Sequence, residues 1–449
     1  MKAINIVTLI ALACGSAQAA PEYSLNMLSR TFSMDVLERN DSNSSFISKH
    51  PDDVPYINAS FTNKYSHYRA QAFHLFGKAK INPFLTLESN AYLVGKLHLN
   101  LDDPDGDDSL YVLKNNKNSF GRISGALEIT PNSNSKIRYG YMPLDLELLN
   151  SGDIKTAPLI FAATSLQYQT DLFKLDLTKA SRSSASNDQN YESFAKLETG
   201  VGIVRKAPIY VAQADFSNGQ LSGLASFARQ KGIKYYRMAQ LEFQTRLSNQ
   251  LSIEAGVQYR ERKEIENSGT QYENNHIGLR MGGSYNQFRS GLAFSYTNDK
   301  SDLEMSTRWR NQQGQSCQSC GFYVAGYNDN SLFHHAGEKA IKWNLGANLD
   351  QLQQGLSIDS YLIYGDDLHK QLRKTMDMYL HRQREFGLKI SQQFGSNGAE
   401  LSLQHSRNKQ TQKSRFIDSD PDYGGTGTSG SVRTSYQTRI TLNYPINII

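Results

Sequence analysis

A chain of 449 residues with a formal net charge of +5 carries too little excess charge to mark a nucleic-acid binder, and no nucleic-acid partner is expected. Its mean hydropathy is −0.54 and the mature part holds no long apolar run, which excludes membrane-spanning helices. The 25 Tyr, 20 Phe and 33 Gly against only 11 Pro fit a β-rich chain with aromatic girdles and tight turns.

At the N-terminus, Lys2, the apolar run from Ile4 to Ala13 and the small residues Ala17-Gln18-Ala19 read as a signal peptide over residues 1–19. Cleavage is expected near Ala19/Ala20, leaving residues 20–449 as one barrel domain. Cys14 sits like a lipid acceptor, but Ala11 stands where a large aliphatic residue belongs.

The first strand is expected from about Tyr23 to Arg39, with a return strand around Arg69 to Lys80. Next comes the clearest period-two alternation. Leu85, Leu87, Ala91, Leu93, Leu97, Leu99 and Leu101 share one face, and Thr86, Glu88, Asn90, Lys96, His98 and Asn100 the other. A Lys or Arg facing lipid near the midplane costs about 2–4 kcal/mol, so the charged face must look into a lumen. The acidic run Asp102 to Asp108 resembles a calcium loop, yet its first and last ligand positions would fall on Leu101 and Val112. A solvated loop is expected there.

A hairpin follows, with Ile123, Leu127, Ile129, Ile137 and Tyr139 outward and Arg122 and Arg138 inward. The segment Pro143 to Thr164 is too long and too apolar, at Leu144, Leu146, Leu148, Leu149, Leu159, Ile160 and Phe161, for an exposed loop. It is expected to fold into the lumen. Its charged residues Asp145, Glu147, Asp153 and Lys155 then become the candidate constriction.

From Ala163 onward short and long connections alternate. The short ones are Ser217 to Gly219, Leu247 to Gln250, Asn286-Gln287, Asp350 to Gly355 and Gly395 to Gly398. The long ones run about Ser181 to Ala207, Ile265 to Asn274, Ser301 to Lys339, Asp367 to Arg382 and Gln410 to Arg433. In outer-membrane barrels short turns are periplasmic and long loops extracellular. Cys317 and Cys320 lie in one of the long loops. They read as a loop disulfide, since the adjacent His334 and His335 do not match zinc-ligand spacing. No metal or cofactor is expected.

Gly425, Gly427 and Gly430 spell GxGxxG without the strand and helix a dinucleotide site needs. The last strand alternates Tyr436, Thr438, Ile440, Leu442, Tyr444, Ile446 and Ile448 against Gln437, Arg439, Thr441 and Asn443. With nothing after it to cover its apolar face, its neighbours or lipid must do so; in a transmembrane barrel lipid is expected there, and pairing with the first strand removes the open edge. The fold class is therefore all-β, a transmembrane antiparallel β-barrel of about 18 strands with an inward-folded constriction loop.

Strand parity points a set of cations inward, namely Arg122, Arg138, Arg260, Arg262, Arg280, Arg289, Lys342, Lys389 and Arg439. Inward Glu128, Glu242, Glu254 and Asp359 are the available counter-charges. Acids of the constriction loop opposite lumen cations would set a transverse field that selects solutes while letting them go.

Several pieces resemble the OprD-type substrate-specific porins of Gram-negative bacteria. They are KIRYGYMP from Lys136 to Pro143, and Asp153-Ile154-Lys155-Thr156-Ala157-Pro158, similar to that family's Asp-x-Arg-Leu-Leu-Pro. Gly337-Glu338-Lys339, Tyr364-Gly365-Asp366-Asp367 and Arg439 with Tyr444-Pro445 complete the set. The resemblance implies an eighteen-stranded barrel, monomeric or a weak trimer, with a long third loop folded inward and a basic row on one lumen wall. In this sequence Arg122, Arg138, Arg280, Arg289, Lys342, Lys389 and Arg439 are the candidates for that row. Lys155 stands where Arg is usual, Tyr141 where Glu is common, and Gln404 and Ser406 where arginines are expected, so the row is thinner here.

The expected function is passive, electrostatically selected uptake of small polar nutrients such as amino acids, peptides or carboxylates. A chitin-oligosaccharide or other sugar porin of the same fold is the alternative. Expected partners are those solutes, outer-membrane lipid and lipopolysaccharide, and the barrel-assembly machinery acting on the C-terminal strand. An enzyme would need converging acid or nucleophile groups, for which Asp366, Asp367 and His369 are a faint candidate. A receptor would need a plug or surface module for which no residues are left over.

Overall fold

The computed structural model describes residues 22–43, 64–97, 117–152, 155–197, 204–265, 271–300, 305, 309, 321–326, 332–373, 376–415 and 428–448. Eighteen strands close into one antiparallel barrel. In chain order they are β1 Glu22–Asn43, β2 Lys64–Asn82, β3 Leu85–Lys96, β4 Ser119–Asn132, β5 Ser135–Met142 and β6 Ile160–Gln169. Then come β7 Phe173–Ser184, β8 Ile209–Ser217, β9 Leu221–Gln230, β10 Lys234–Arg246, β11 Leu251–Ile265 and β12 Gln271–Tyr285. The last six are β13 Phe288–Thr297, β14 Lys339–Asn348, β15 Leu356–Arg373, β16 Met376–Phe394, β17 Ala399–Arg415 and β18 Thr428–Asn447. Each strand pairs with its sequence neighbour, and β18 returns to β1 from Asn26↔Asn447 to Asn43↔Gly430. That seam supplies the edge closure which hydrocarbon demands.

The alternation of side chains follows the sequence pattern. Ile123 is 74% exposed and Tyr139 62%, while Arg122 between the same strands is 3% exposed. Leu279, Met281, Trp343, Leu362, Ile440 and Tyr444 continue the exposed apolar band around the outer wall. All the short turns named above lie at one end of the barrel, together with Asn26 and Asn447.

Two expectations about the other end need correction. The segment from Asp367 to Arg382 is not a long loop, because β15 and β16 extend through most of it to Arg373 and Met376. Ser301 to Lys339 is not simply an exterior loop either. Its described residues Met305, Trp309, Phe322, Val324, Leu332, Phe333, His334 and His335 are all buried. The connection Lys231–Ile233 between β9 and β10 is short, as are those from Ile265 to Gln271 and from Arg373 to Met376 at the same end. Residues 1–19, Asp102 to Asp108, Gly425, Gly427, Cys317 and Cys320 lie outside the described residues, as does Asp153.

Two of the apolar clusters inside the barrel involve the segment between β5 and β6. In one, Leu144, Leu146, Leu148 and Leu149 meet Ile209 and Val211 of β8 and Tyr236 and Met238 of β10, with Trp309 from the β13–β14 connection. In the other, Ala157 and Ile160 meet Phe32, Met34, Ala70, Ala72, Tyr92 and Val94 of β1 to β3. Both clusters exist because the segment between β5 and β6 crosses the lumen.

Candidate functional site

The crossing segment begins as a small hairpin, Asp145–Leu146 against Leu149–Asn150. Its four leucines are buried, and this is why it leaves the surface: burying a Leu contributes about 1.5–3 kcal/mol. On the β8–β11 side it is tied by polar contacts to its charged tip. Glu147 N–H donates to Gln213 Oε1 at 2.9 Å, and Arg260 Nη2 donates to Glu147 Oε1 at 2.5 Å. Trp309 Nε1–H donates to Leu148 O at 2.7 Å. Asp145 is exposed and accepts from Asn150 Nδ2 at 2.7 Å.

On the β1–β4 side the ties run to successive backbone carbonyls. Arg30 Nη1 donates to Lys155 O at 2.9 Å, His74 Nε2–H to Thr156 O at 2.6 Å, and Arg122 Nη2 to Pro158 O at 2.5 Å. Arg122 also donates to Ser184 Oγ at 3.0 Å, Ala185 O at 2.6 Å and Asp188 O at 3.3 Å. It therefore holds the β5–β6 and β7–β8 connections together, so it is an anchor of the constriction and not a cation offered to a solute. Tyr191 packs at 4.3 Å on Tyr141, and burial pushes its phenol up to about 12 against the pull of Arg122.

The β13–β14 connection narrows the other side. Gln258 Nε2 donates to Gly321 O at 2.6 Å, Phe322 lies 4.1 Å under the Arg260 guanidinium, and Lys342 Nζ donates to Ala325 O at 2.7 Å. Tyr323 donates to Glu242 at 3.2 Å and lies 5.0 Å from Arg280; burial, reinforced by Glu242, raises its phenol above the ordinary value. Room for these contacts comes from inward-facing glycines. A Cβ on Gly256 would overlap the Tyr323 hydroxyl, and one on Gly321 would overlap Glu147 and Arg260.

The remaining cations expected in the lumen are arranged by register. Arg289, Gly346, Asp359, Lys389, Gln404, Arg439 and Met34 follow one another across β13 to β18 and β1 in a single lateral row. Arg289 reaches Asp359 at 2.6 Å across Gly346, where a Cβ would block the pair. Arg280 and Lys342 belong to a second row four residues further along each strand, and Arg280 reaches Glu242 at 2.9 Å across Gly256. Arg138 pairs with Glu88 at 2.6 Å and lies 3.7 Å from Glu128. Arg262 pairs with Glu264 at 2.7 Å. Among the described residues Lys389 makes no hydrogen bond or ion pair.

Opposed charge is thus placed mostly between strands two apart around the wall, and Glu147–Arg260 joins loop to wall. Reading the sequence missed Arg30, His74, Gln213 and Trp309. The signal for the β13–β14 connection was present in Phe322 to Ala325 and Leu332 to His335, apolar runs of the kind that marked Pro143 to Thr164. Asp366 pairs with Arg382 at 3.0 Å, and the side chains of Asp367 and His369 lie outside the described residues.

Beneath the crossing loop lies a cavity of about 530 Å³ lined in part by Phe76, Tyr92, Arg138, Lys174 and Asp176. Solved structures share this architecture. Pseudomonas aeruginosa OccK9 (OpdG) matches with a TM-score of 0.70 at 14% identity, covering 95% of this chain and 99% of that one. The fold is that of an OprD-type porin. The BenF-like porin from Pseudomonas fluorescens Pf-5 shares this OprD-type fold with a TM-score of 0.69 at 16% identity, covering 95% and 99% of the two chains. So does Pseudomonas aeruginosa OccK2 (OpdF), solved in complex with glucuronate, at 0.66 and 15%, again over 95% and 99%. No family model and no curated protein matches the sequence. At these identities the OprD-type architecture is what is shared.

Proposed function

We propose that the protein is a substrate-specific outer-membrane porin, admitting small polar nutrients such as amino acids, peptides or carboxylates by passive, electrostatically selected diffusion. The observation that carries this reading is a closed barrel, apolar outside and charged inside, whose lumen is narrowed by loops pinned to both walls. Residues 1–19 serve as a signal peptide, the short turns face the periplasm and the long-loop end faces outward. Lipid and lipopolysaccharide cover the apolar band, and the barrel-assembly machinery engages β18. The barrel works as a monomer or weak trimer, and no enzymatic step is part of the reading.

The solute meets Asp145, Glu147 and Lys155 of the crossing loop, with Asp153 beside them in sequence, and the charged rows holding Arg138, Arg280, Arg289, Lys389 and Arg439. At about 4 Å a charge pair is worth roughly 1 kcal/mol in bulk water and about 4 kcal/mol at an effective dielectric near 20, enough to select and still release. A sugar is the second reading, favoured by Phe76 and Tyr92 in the cavity beneath the loop, where an aromatic face suits a pyranose ring. Proteoliposome swelling with neutral sugars of increasing size, amino acids and dicarboxylates tests both. Flux that falls with solute size and favours one charge class supports the porin reading. Impermeability to every solute sinks it, and a preference for oligosaccharides over amino acids of equal size replaces the first reading by the second.

A further inference from the structure

Below the crossing loop, the lumen-facing positions of β7 and β8 hold Lys174, Asp176 and Asp215, two acids to one base. Lys174 pairs with Asp176 at 2.9 Å, and Asp215 stands directly opposite Lys174 in the β7–β8 register. Asp145 of the loop faces the same cavity as Lys174, and its charge acts on that ammonium at longer range. Asp176 is wholly buried, at 0% exposure, and among the described residues its Oδ1 has no hydrogen-bond partner. Leaving a carboxylate oxygen buried and unsatisfied is costly, and such a group normally serves a ligand or a partner.

Position adds a second constraint. Asp145, Lys174 and Asp176 line the cavity under the loop. Lys174 and Asp215 also line a further space of about 330 Å³ toward the short-turn end, where Asp171 stands. Lys174 is 35% exposed, so its ammonium can swing into water when another cation takes its place on Asp176, whereas Asp176 cannot follow it. The carboxylates therefore form a descending series, Asp145, Asp176, Asp215 and Asp171, with one movable cation in the middle.

Resting on the porin reading, we propose that Asp176, with Asp145 above and Asp215 below, is a binding subsite for the ammonium of a permeating solute. In the empty pore Lys174 occupies that subsite as a tethered competitor. An incoming primary ammonium displaces the lysine, is handed to Asp215 as Lys174 returns, and leaves toward the short-turn mouth. The returning lysine keeps binding weak enough for flux. Small amines and amino acids are the solute class this geometry takes, in preference to dicarboxylates.

The test uses the full mature barrel in planar bilayers and proteoliposomes, with 1,4-diaminobutane, succinate and arabinose as probes. Asp176→Asn should lower the flux of diaminobutane relative to arabinose by about fivefold, the loss of one partly screened charge contact. Lys174→Met removes the competitor and a repelling charge. It should tighten block of the single-channel current by diaminobutane by a similar factor, with arabinose flux within about twofold of the parent. Heat-modifiable electrophoretic mobility establishes that each variant is folded. An unchanged diaminobutane-to-arabinose ratio in Asp176→Asn, or weaker diaminobutane block in Lys174→Met, overturns the subsite while arabinose flux leaves the porin reading standing. If the parent passes neither arabinose nor diaminobutane, both readings fall together.

Discussion

The two walls of the lumen hold the same loop by different chemistry. On the β1–β4 wall, Arg30, His74 and Arg122 donate to the carbonyls of Lys155, Thr156 and Pro158, so the loop is gripped by its backbone. On the β8–β11 wall the grip includes a loop side chain, Glu147 on Arg260, beside a bond to Leu148 O from Trp309, itself packed 4.9 Å from Tyr236. A backbone grip is indifferent to which residues the loop carries. A side-chain grip specifies them.

Loss of the backbone grip should have the largest effect. Arg122→Met would orphan the Pro158 carbonyl and leave those of Ala185 and Asp188 to the Asp188 N–H and the Ser184 hydroxyl alone, and a hydrogen bond to a charged group is worth about 1.5–3 kcal/mol. A marked fall in the temperature of heat modification is expected, together with a larger and noisier conductance. A variant as stable and quiet as the parent would show that Arg122 anchors neither connection.

Arg260→Met attacks the other wall. It breaks the Glu147 pair and the Phe322 contact, and removing one partner of a buried pair typically costs about 3–5 kcal/mol. Some of that is recovered here because Glu147 is 23% exposed and can turn to water. The expected phenotype is a smaller loss of thermal stability than in Arg122→Met, with a wider pore. Equal or greater destabilisation would reverse the ranking of the two walls.

Gly346→Ala is the mildest change. Its Cβ would push Arg289 off Asp359, a pair 40% and 35% exposed, for which a cost of about 0–1 kcal/mol is expected. Stability should hold while the reversal potential under a salt gradient shifts slightly, and the shift should vanish at high salt, where screening reaches about 3 Å at 1 M. A shift that persists in 1 M salt would point to steric narrowing instead.

The barrel was legible because lipid and water impose opposite demands on alternate residues, as in Ile123 beside Arg122 or Ile440 beside Arg439. The inward fold of Pro143 to Thr164 was legible for the same reason, since no exposed loop keeps four leucines. Partners were harder to read. Arg289 meets Asp359 through a gap left by Gly346, and that depends on the register of three strands. Register follows from pairing along the whole wall, which no local window contains. Arg122 pointed inward as expected, yet its acceptors are main-chain carbonyls, which every residue owns and no sequence pattern marks.

The seam between β1 and β18 bears on how the molecule forms. The Arg30 to Asn443 hydrogen bond joins residues 413 apart in sequence, and every other pairing in the seam has a similarly long reach. Such contacts repay their loop-closure entropy only after the intervening strands are in place, because non-local pairing is intrinsically slow. Closure is therefore the last event of folding, and until it occurs two strand edges stay open, each a template for a neighbouring chain. A single substitution that weakens the seam should reveal itself less in the finished pore than in the lifetime of that unsealed intermediate.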